Sequence, residues 1–128
     1  MEITITSSLD LLFLLIELVV ALGIVTIIHE LGHIITYVLL ERNVAFQLKF
    51  NWTGIDFYYT ASRPLHTLLN SLAGSVANGV TVVIFLQIIP PESYVIQLSY
   101  LMIFINLLPL APDGKTIMKA INSMRKEQ

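Results

Sequence analysis

The 128-residue sequence contains no cysteine. Disulfides and thiolate metal sites are therefore excluded and the redox compartment is left open, so any bound metal must use histidine and carboxylate ligands. Charge is scarce too. Only 12% of the residues are Asp, Glu, Lys or Arg, against roughly 25% in an ordinary soluble domain, which argues against a soluble enzyme. The net charge of −2, with no long basic or acidic run, offers nothing to a nucleic acid. The start of the chain lacks the basic stretch of a cleaved secretory signal; it alternates polar and apolar residues, and Ser7 or Ser8 is placed to cap a following helix. What the sequence does have is apolar surface: 55% of it is hydrophobic and its mean hydropathy is +0.78. That is the composition of an integral membrane protein, one domain in size and embedded in a lipid bilayer.

Within this apolar background, residues Ile28 to Tyr37 read Ile-His-Glu-Leu-Gly-His-Ile-Ile-Thr-Tyr. On a helix, His29 and His33 lie one turn apart, so both imidazoles leave the same face and can grip one ion, with Glu30 beside them as a candidate base. The surrounding apolar run extends from Leu9 to Leu40 and predicts a first membrane helix over about 9–40. At 1.5 Å per residue it measures about 48 Å against a hydrocarbon core of about 30 Å, so it must tilt, bend or protrude. Glu17, about 18 Å along that helix from His29, is too far away to share its metal and reads as an interfacial acid.

After Glu41 the pattern changes to alternation. Phe46, Leu48, Phe50 and Trp52 recur at every second residue, Thr53-Gly54 supplies a turn, and Ile55, Phe57 and Tyr59 alternate again. A β-hairpin over about 44–60 at the membrane surface is expected, with Trp52, Tyr58 and Tyr59 at headgroup level. It reads either as an interfacial anchor or as an exposed strand edge for an unwound peptide. A second helix is expected over about 65–89, opened by Pro64 and closed by Pro90-Pro91. Thr67, Asn70, Ser71, Gly74, Ser75 and Asn78 make one small, polar stripe on it, suited to close helix packing. Asn78 stands out because an amide buried in lipid needs partners. A third helix over about 93–110 runs into Asn106-Leu-Leu-Pro-Leu-Ala-Pro-Asp113-Gly114, where the prolines break it, and an amphipathic tail helix is expected over about 114–126. The predicted fold class is thus membrane α-helical, with three transmembrane helices, an interfacial hairpin and a tail helix.

The seven Lys and Arg residues fall in two places, Arg42, Lys49 and Arg63 after the first helix and Lys115, Lys119, Arg125 and Lys126 after the third. With three spans both regions share one side, which the positive-inside rule makes cytoplasmic, leaving the N-terminus outside. The half of helix one that carries His29 and His33 and the end of helix three at Asp113 then meet on the same side. A catalytic zinc takes three protein ligands and leaves one position open. His29 and His33 supply two; Asp113 is the intramembrane candidate for the third, and His66, at the start of helix two, is its rival. Zinc brings the pKa of water down to about 7, Glu30 can accept and pass on the proton, and Asn106 or Asn78 can stabilise an oxyanion. Ionisable groups this close together are costly in lipid, which makes them a functional site by default.

In these blocks the sequence resembles the site-2 proteases, zinc intramembrane metalloproteases. His29-Glu30-Leu31-Gly32-His33 matches that family's zinc motif, Gly74 to Asn78 resembles its Gly-Pro-x-x-Asn block, and Asn106 to Gly114 resembles its Asn-x-x-Pro to Asp-Gly block, in the family's order. Ser75 stands where the family usually has proline, and the third block lacks the leucine that usually precedes Asp-Gly. The resemblance implies a three-helix core, one Zn2+ held by His29, His33 and Asp113, and Glu30 as base. It further implies transmembrane protein substrates, commonly regulatory, cut near the cytoplasmic side. Regulation would come from the substrate, a partner or a homo-oligomer. The competing readings are a non-proteolytic membrane protein that binds metal or helices, and, less favoured, a metal transporter, for which no second layer of ligands lines the opposite leaflet.

Overall fold

Nothing between Ser8 and Glu41 stops a helix, and a single one forms there, α1, 34 residues long. The computed structural model describes residues 8–42, 45–51 and 54–126, without the side chain of Asp56. The expected alternation before residue 7, the Ser7 cap, Trp52 and the Thr53 turn position lie outside the described residues. Helix α1 ends where Arg42 takes a left-handed backbone (φ 51°) and its N–H closes on the Val38 carbonyl at 3.0 Å, a C-terminal arrangement that leaves no continuing turn. Its buried residues are Ala21, Val25, His29, His33 and Tyr37. They recur at every fourth position and form one stripe along the C-terminal part of the helix. None of residues 8–20 is buried, and Glu17 is exposed.

The hairpin consists of β1 (Gln47–Asn51) and β2 (Gly54–Tyr58), antiparallel, with Leu48 opposite Phe57 and Phe50 opposite Ile55. Its fixation to α1 is aromatic. Tyr37 packs its ring against Phe46, Phe57 and Tyr59 at centroid distances of 6.2, 5.9 and 5.4 Å, and its hydroxyl donates to the Ala45 carbonyl at 3.0 Å. Strand β1 faces away and is exposed throughout.

Helix α2 (Pro64–Phe85) begins with proline in its first turn and touches α1, α3 and α4. Its buried face is the polar stripe: Asn70, Ser71, Gly74, Ser75 and Asn78 are all buried, joined by Ala73, Thr81 and Val82. The helix runs unbroken past Ser75 but stops at Phe85, short of the expected 89. The amides of Gln87 and Ile88 reach back only three residues, to Ile84 and Phe85. Such a tightened turn ends the helix before the backbone restriction that Pro90 imposes on Ile89. Helix α3 (Tyr94–Leu107) starts at Ser93, whose hydroxyl accepts the Ile96 amide at 3.5 Å. It too is shorter than expected, ending at Leu107 because Pro109 drives Leu108 into extended backbone (ψ 142°). After four residues the chain re-enters a helix at Pro112. Helix α4 (Pro112–Lys126) therefore starts two residues before the expected tail helix, and Asp113 sits in its first turn. Two helices, α1 and α2, are long and apolar enough to cross a membrane; α3 and α4, bent by 40° at their break, pass the same length-and-composition test only as a pair, which is the arrangement of a broken span or of a re-entrant loop.

Candidate metal centre

The fourfold spacing on α1 aims both histidines at α2 and α4. Their rings meet edge to face, with centroids 4.8 Å apart, and the two Nε2 atoms are 3.1 Å apart. The first turn of α4 brings in the carboxylate: Asp113 Oδ2 lies 3.0 Å from His29 Nε2 and 3.3 Å from His33 Nε2. The break between α3 and α4 is what delivers it, because Gly114 passes so close to the Leu108 carbonyl that a Cβ there would collide with it.

The chemistry of this donor set fits a cation. His33 Nδ1 is 2.7 Å from the Asn70 backbone carbonyl, an acceptor only, so in a neutral imidazole Nδ1 carries the proton and Nε2 presents its lone pair. That lone pair faces a second imidazole nitrogen and a carboxylate oxygen. A positive charge at their centre removes the repulsion. An ion bound tetrahedrally at about 2.0–2.1 Å holds its donor atoms about 3.3 Å apart, close to the 3.0, 3.1 and 3.3 Å edges of this triangle. His29, His33 and Asp113 thus form a group able to hold a metal ion, the two histidines buried and the aspartate half-buried.

The remaining sequence candidates divide around this centre. Glu30 and Asn106 both line the cleft of about 680 Å³ into which the three ligands open. Asn106 brings its side-chain amide 3.4 Å from His29 Nε2. Asn78 is fully buried, with its amide 3.5 Å from His29 Nδ1, on the side of the ring away from Asp113's contact. His66 is not part of the group. Its Nδ1 pairs with Glu41 Oε1 at 2.8 Å, and the same carboxylate oxygen accepts the Ser62 amide at 3.0 Å, so this histidine ties the end of α1 to the start of α2.

No family model, curated protein or solved structure matches the chain. The site stands on its own geometry. Three contributors to it were missed in the sequence. The Asn70 carbonyl that orients His33 is a backbone atom and leaves no signal. Phe57 stacks on the His33 ring at 6.1 Å with the planes 12° apart, which needs the hairpin's position to be known. Gly74 was visible as a small residue for helix packing, but what it admits is the ring of a candidate metal ligand: a Cβ there would overlap the His29 imidazole.

Proposed function

We propose that this protein is a zinc-dependent intramembrane endopeptidase of the site-2 protease type, hydrolysing peptide bonds within or near transmembrane segments of membrane-protein substrates. The observation that carries the reading is the convergence of His29, His33 and Asp113 from two helices at one point of a cleft that Glu30 also lines. Two histidines and one carboxylate are a catalytic rather than a structural zinc set, since they leave a coordination position open. Bound there, zinc supplies Lewis acidity toward water and the scissile carbonyl.

The chain's own groups provide the rest. Glu30, one residue from the first ligand and facing the same cleft, takes the proton of the attacking water and returns it to the leaving amine. Asn106 offers its amide N–H to the carbonyl oxygen as charge develops there. Asn78 acts on His29. A metal on Nε2 would leave the proton on Nδ1, and the acceptor that suits it is an amide oxygen; Asn78 Oδ1, which has no partner among the described residues, provides one after a half-turn of the amide. The Asn70 carbonyl does the same for His33. The hairpin, fixed over the cleft by Tyr37 and Phe57, offers extended backbone to a locally unwound substrate. Its side of the protein, with the cationic loops and the C-terminus, is cytoplasmic in this reading.

Glu30→Gln tests it directly. Co-expressed with a tagged single-span substrate, the variant is expected to yield no cleavage product while purifying with its metal. Undiminished product would show that Glu30 is not the base. Full metal occupancy with no product from the parent chain would favour the non-proteolytic reading.

A further inference from the structure

The cleft at the metal centre continues past the three ligands toward the N-terminal half of α1. Leu22 and Thr26 line it there, joined from α3 by Met102, one turn before Asn106. At 1.5 Å per residue, Leu22 lies about 10 Å along α1 from His29. Thr26 is near the midpoint of the 34-residue helix, so this arm of the cleft reaches the middle of the apolar span, whereas Ile55, Phe57 and Tyr58 of the hairpin line the other end. Thr26 differs from the hydroxyls around it. Ser71 and Thr116, which line the same cleft, donate to the backbone carbonyl four residues earlier at 2.8 and 2.9 Å, and Thr67 and Thr81 do so elsewhere. That back-bond is the usual way in which a hydroxyl is satisfied inside a helix. Thr26 makes no hydrogen bond among the described residues. The Tyr59 hydroxyl is unpaired too, but it is fully buried. The half-buried Thr26 therefore brings an uncommitted donor and acceptor to an arm whose other walls, Leu22 and Met102, are apolar.

A transmembrane substrate must give up helical hydrogen bonds around the bond to be cut. At the hairpin end a strand edge can replace them. At the bilayer-centre end the freed N–H and C=O groups meet apolar walls and lipid, where leaving them unsatisfied is costly. A hydroxyl both donates and accepts, so it can take either kind of group, while Leu22 and Met102 accept apolar side chains. Thr26 precedes His29 by about 4.5 Å along the helix axis, and an extended chain advances about 3.3 Å per residue. We infer that Thr26 is a substrate-binding residue, whose hydroxyl holds the main chain of the unwound segment one or two residues from the scissile bond on the bilayer-centre side. The inference rests on the proteolytic reading of the site and adds to it a grip on main chain rather than on side chains.

The test uses the full chain in detergent with a fluorogenic single-span peptide of leucine and alanine flanked by lysine pairs. Thr26→Val removes the hydroxyl and keeps the branched shape; Thr26→Ser keeps the hydroxyl. Thr26→Val is expected to lower kcat/KM about three- to tenfold, the loss of one uncharged hydrogen bond, with Thr26→Ser within twofold or so of the parent. Metal per chain and the pH profile of the rate are expected to be those of the parent in both variants, which also shows that the site is folded. Replacing substrate amides by esters, one at a time on the bilayer-centre side, is expected to slow the parent next to the cut bond and to cost Thr26→Val nothing further at the same position, the signature of two groups in contact. Parent-like kcat/KM in Thr26→Val would overturn the assignment while leaving proteolysis standing, as would an ester penalty equal in the two proteins. A displaced pH profile in Thr26→Val would place the hydroxyl's action on Glu30 and overturn it as well. No cleavage by the parent chain would overturn the proteolytic reading, and this inference with it.

Discussion

At the scale of single residues, the three ligands are unequal in how they are supported. His33 is anchored by the 2.7 Å bond that its Nδ1–H donates to the Asn70 carbonyl, and His29 is enclosed by Gly74, Asn78 and Asn106. Asp113 alone arrives from a different part of the chain and is half-buried. Asp113→Ala is therefore expected to abolish metal retention through dialysis, measured as metal per chain, while His66→Ala keeps it, since His66 is engaged with Glu41 on the other side of the α1–α2 junction. A reversal of those two results would make His66 the third ligand. Asn78→Leu tests the orienting role. Loss of the acceptor for His29 is expected to lower metal affinity by about 10- to 100-fold, read by competition with a chelating dye, with Asn78→Asp retaining most of it. Equal affinity in Asn78→Leu would assign this amide to packing alone.

At the scale of elements, α2 is the part against which the others are arranged, and its polar stripe combines two functions. Small residues let α1 approach: a Cβ on Gly32 of α1 would come within 2.6 Å of the Ala73 carbonyl of α2. They also leave the volume that the His29 ring occupies. Glycine to alanine in a helix interior ordinarily stabilises by about 1 kcal/mol. Gly74→Ala is expected to do the opposite here, because its methyl group would overlap an imidazole buried between helices. The outcome to look for is a lower melting temperature together with loss of metal; a more stable protein with metal retained would mean that α1 and α2 separate more easily than the packing implies.

At the scale of the whole molecule, the exposed apolar side chains decide the environment. Leu9, Phe13, Val19 and Val20 on α1, Val76, Val80 and Val83 on α2 and Leu101 and Phe104 on α3 are exposed, an arrangement that suits a bilayer and not water. The cations gather at the hairpin, the start of α2 and α4. In the proposed orientation all of these lie on one side. Cysteines introduced one at a time at Lys49, Lys126 and Glu92 check this in a background free of native thiols. With a membrane-impermeant maleimide applied outside intact cells, Glu92→Cys is expected to label, and Lys49→Cys and Lys126→Cys only after permeabilisation. Labelling of Lys126→Cys from outside would show that α3 and α4 together do not form one span.

The sequence by itself determined the membrane character, the pairing of His29 with His33 and the polar stripe of α2. Each depends on composition or on short-range periodicity, which any helix expresses whatever it packs against. The hairpin was legible for the same reason, as a change of period from helical to alternating. Helix ends were less so: α2 stops at Phe85 and α3 at Leu107 because prolines act on the residues ahead of them, through turns whose tightening has no residue signature. Only the tertiary structure decided that Asp113 rather than His66 joins the histidines, and that Phe57, Asn70 and Gly74 surround them. Those contacts join residues 24 to 84 positions apart, and which of several carboxylates and imidazoles meet across such distances is set by how α4 turns back on α2, which no local pattern records.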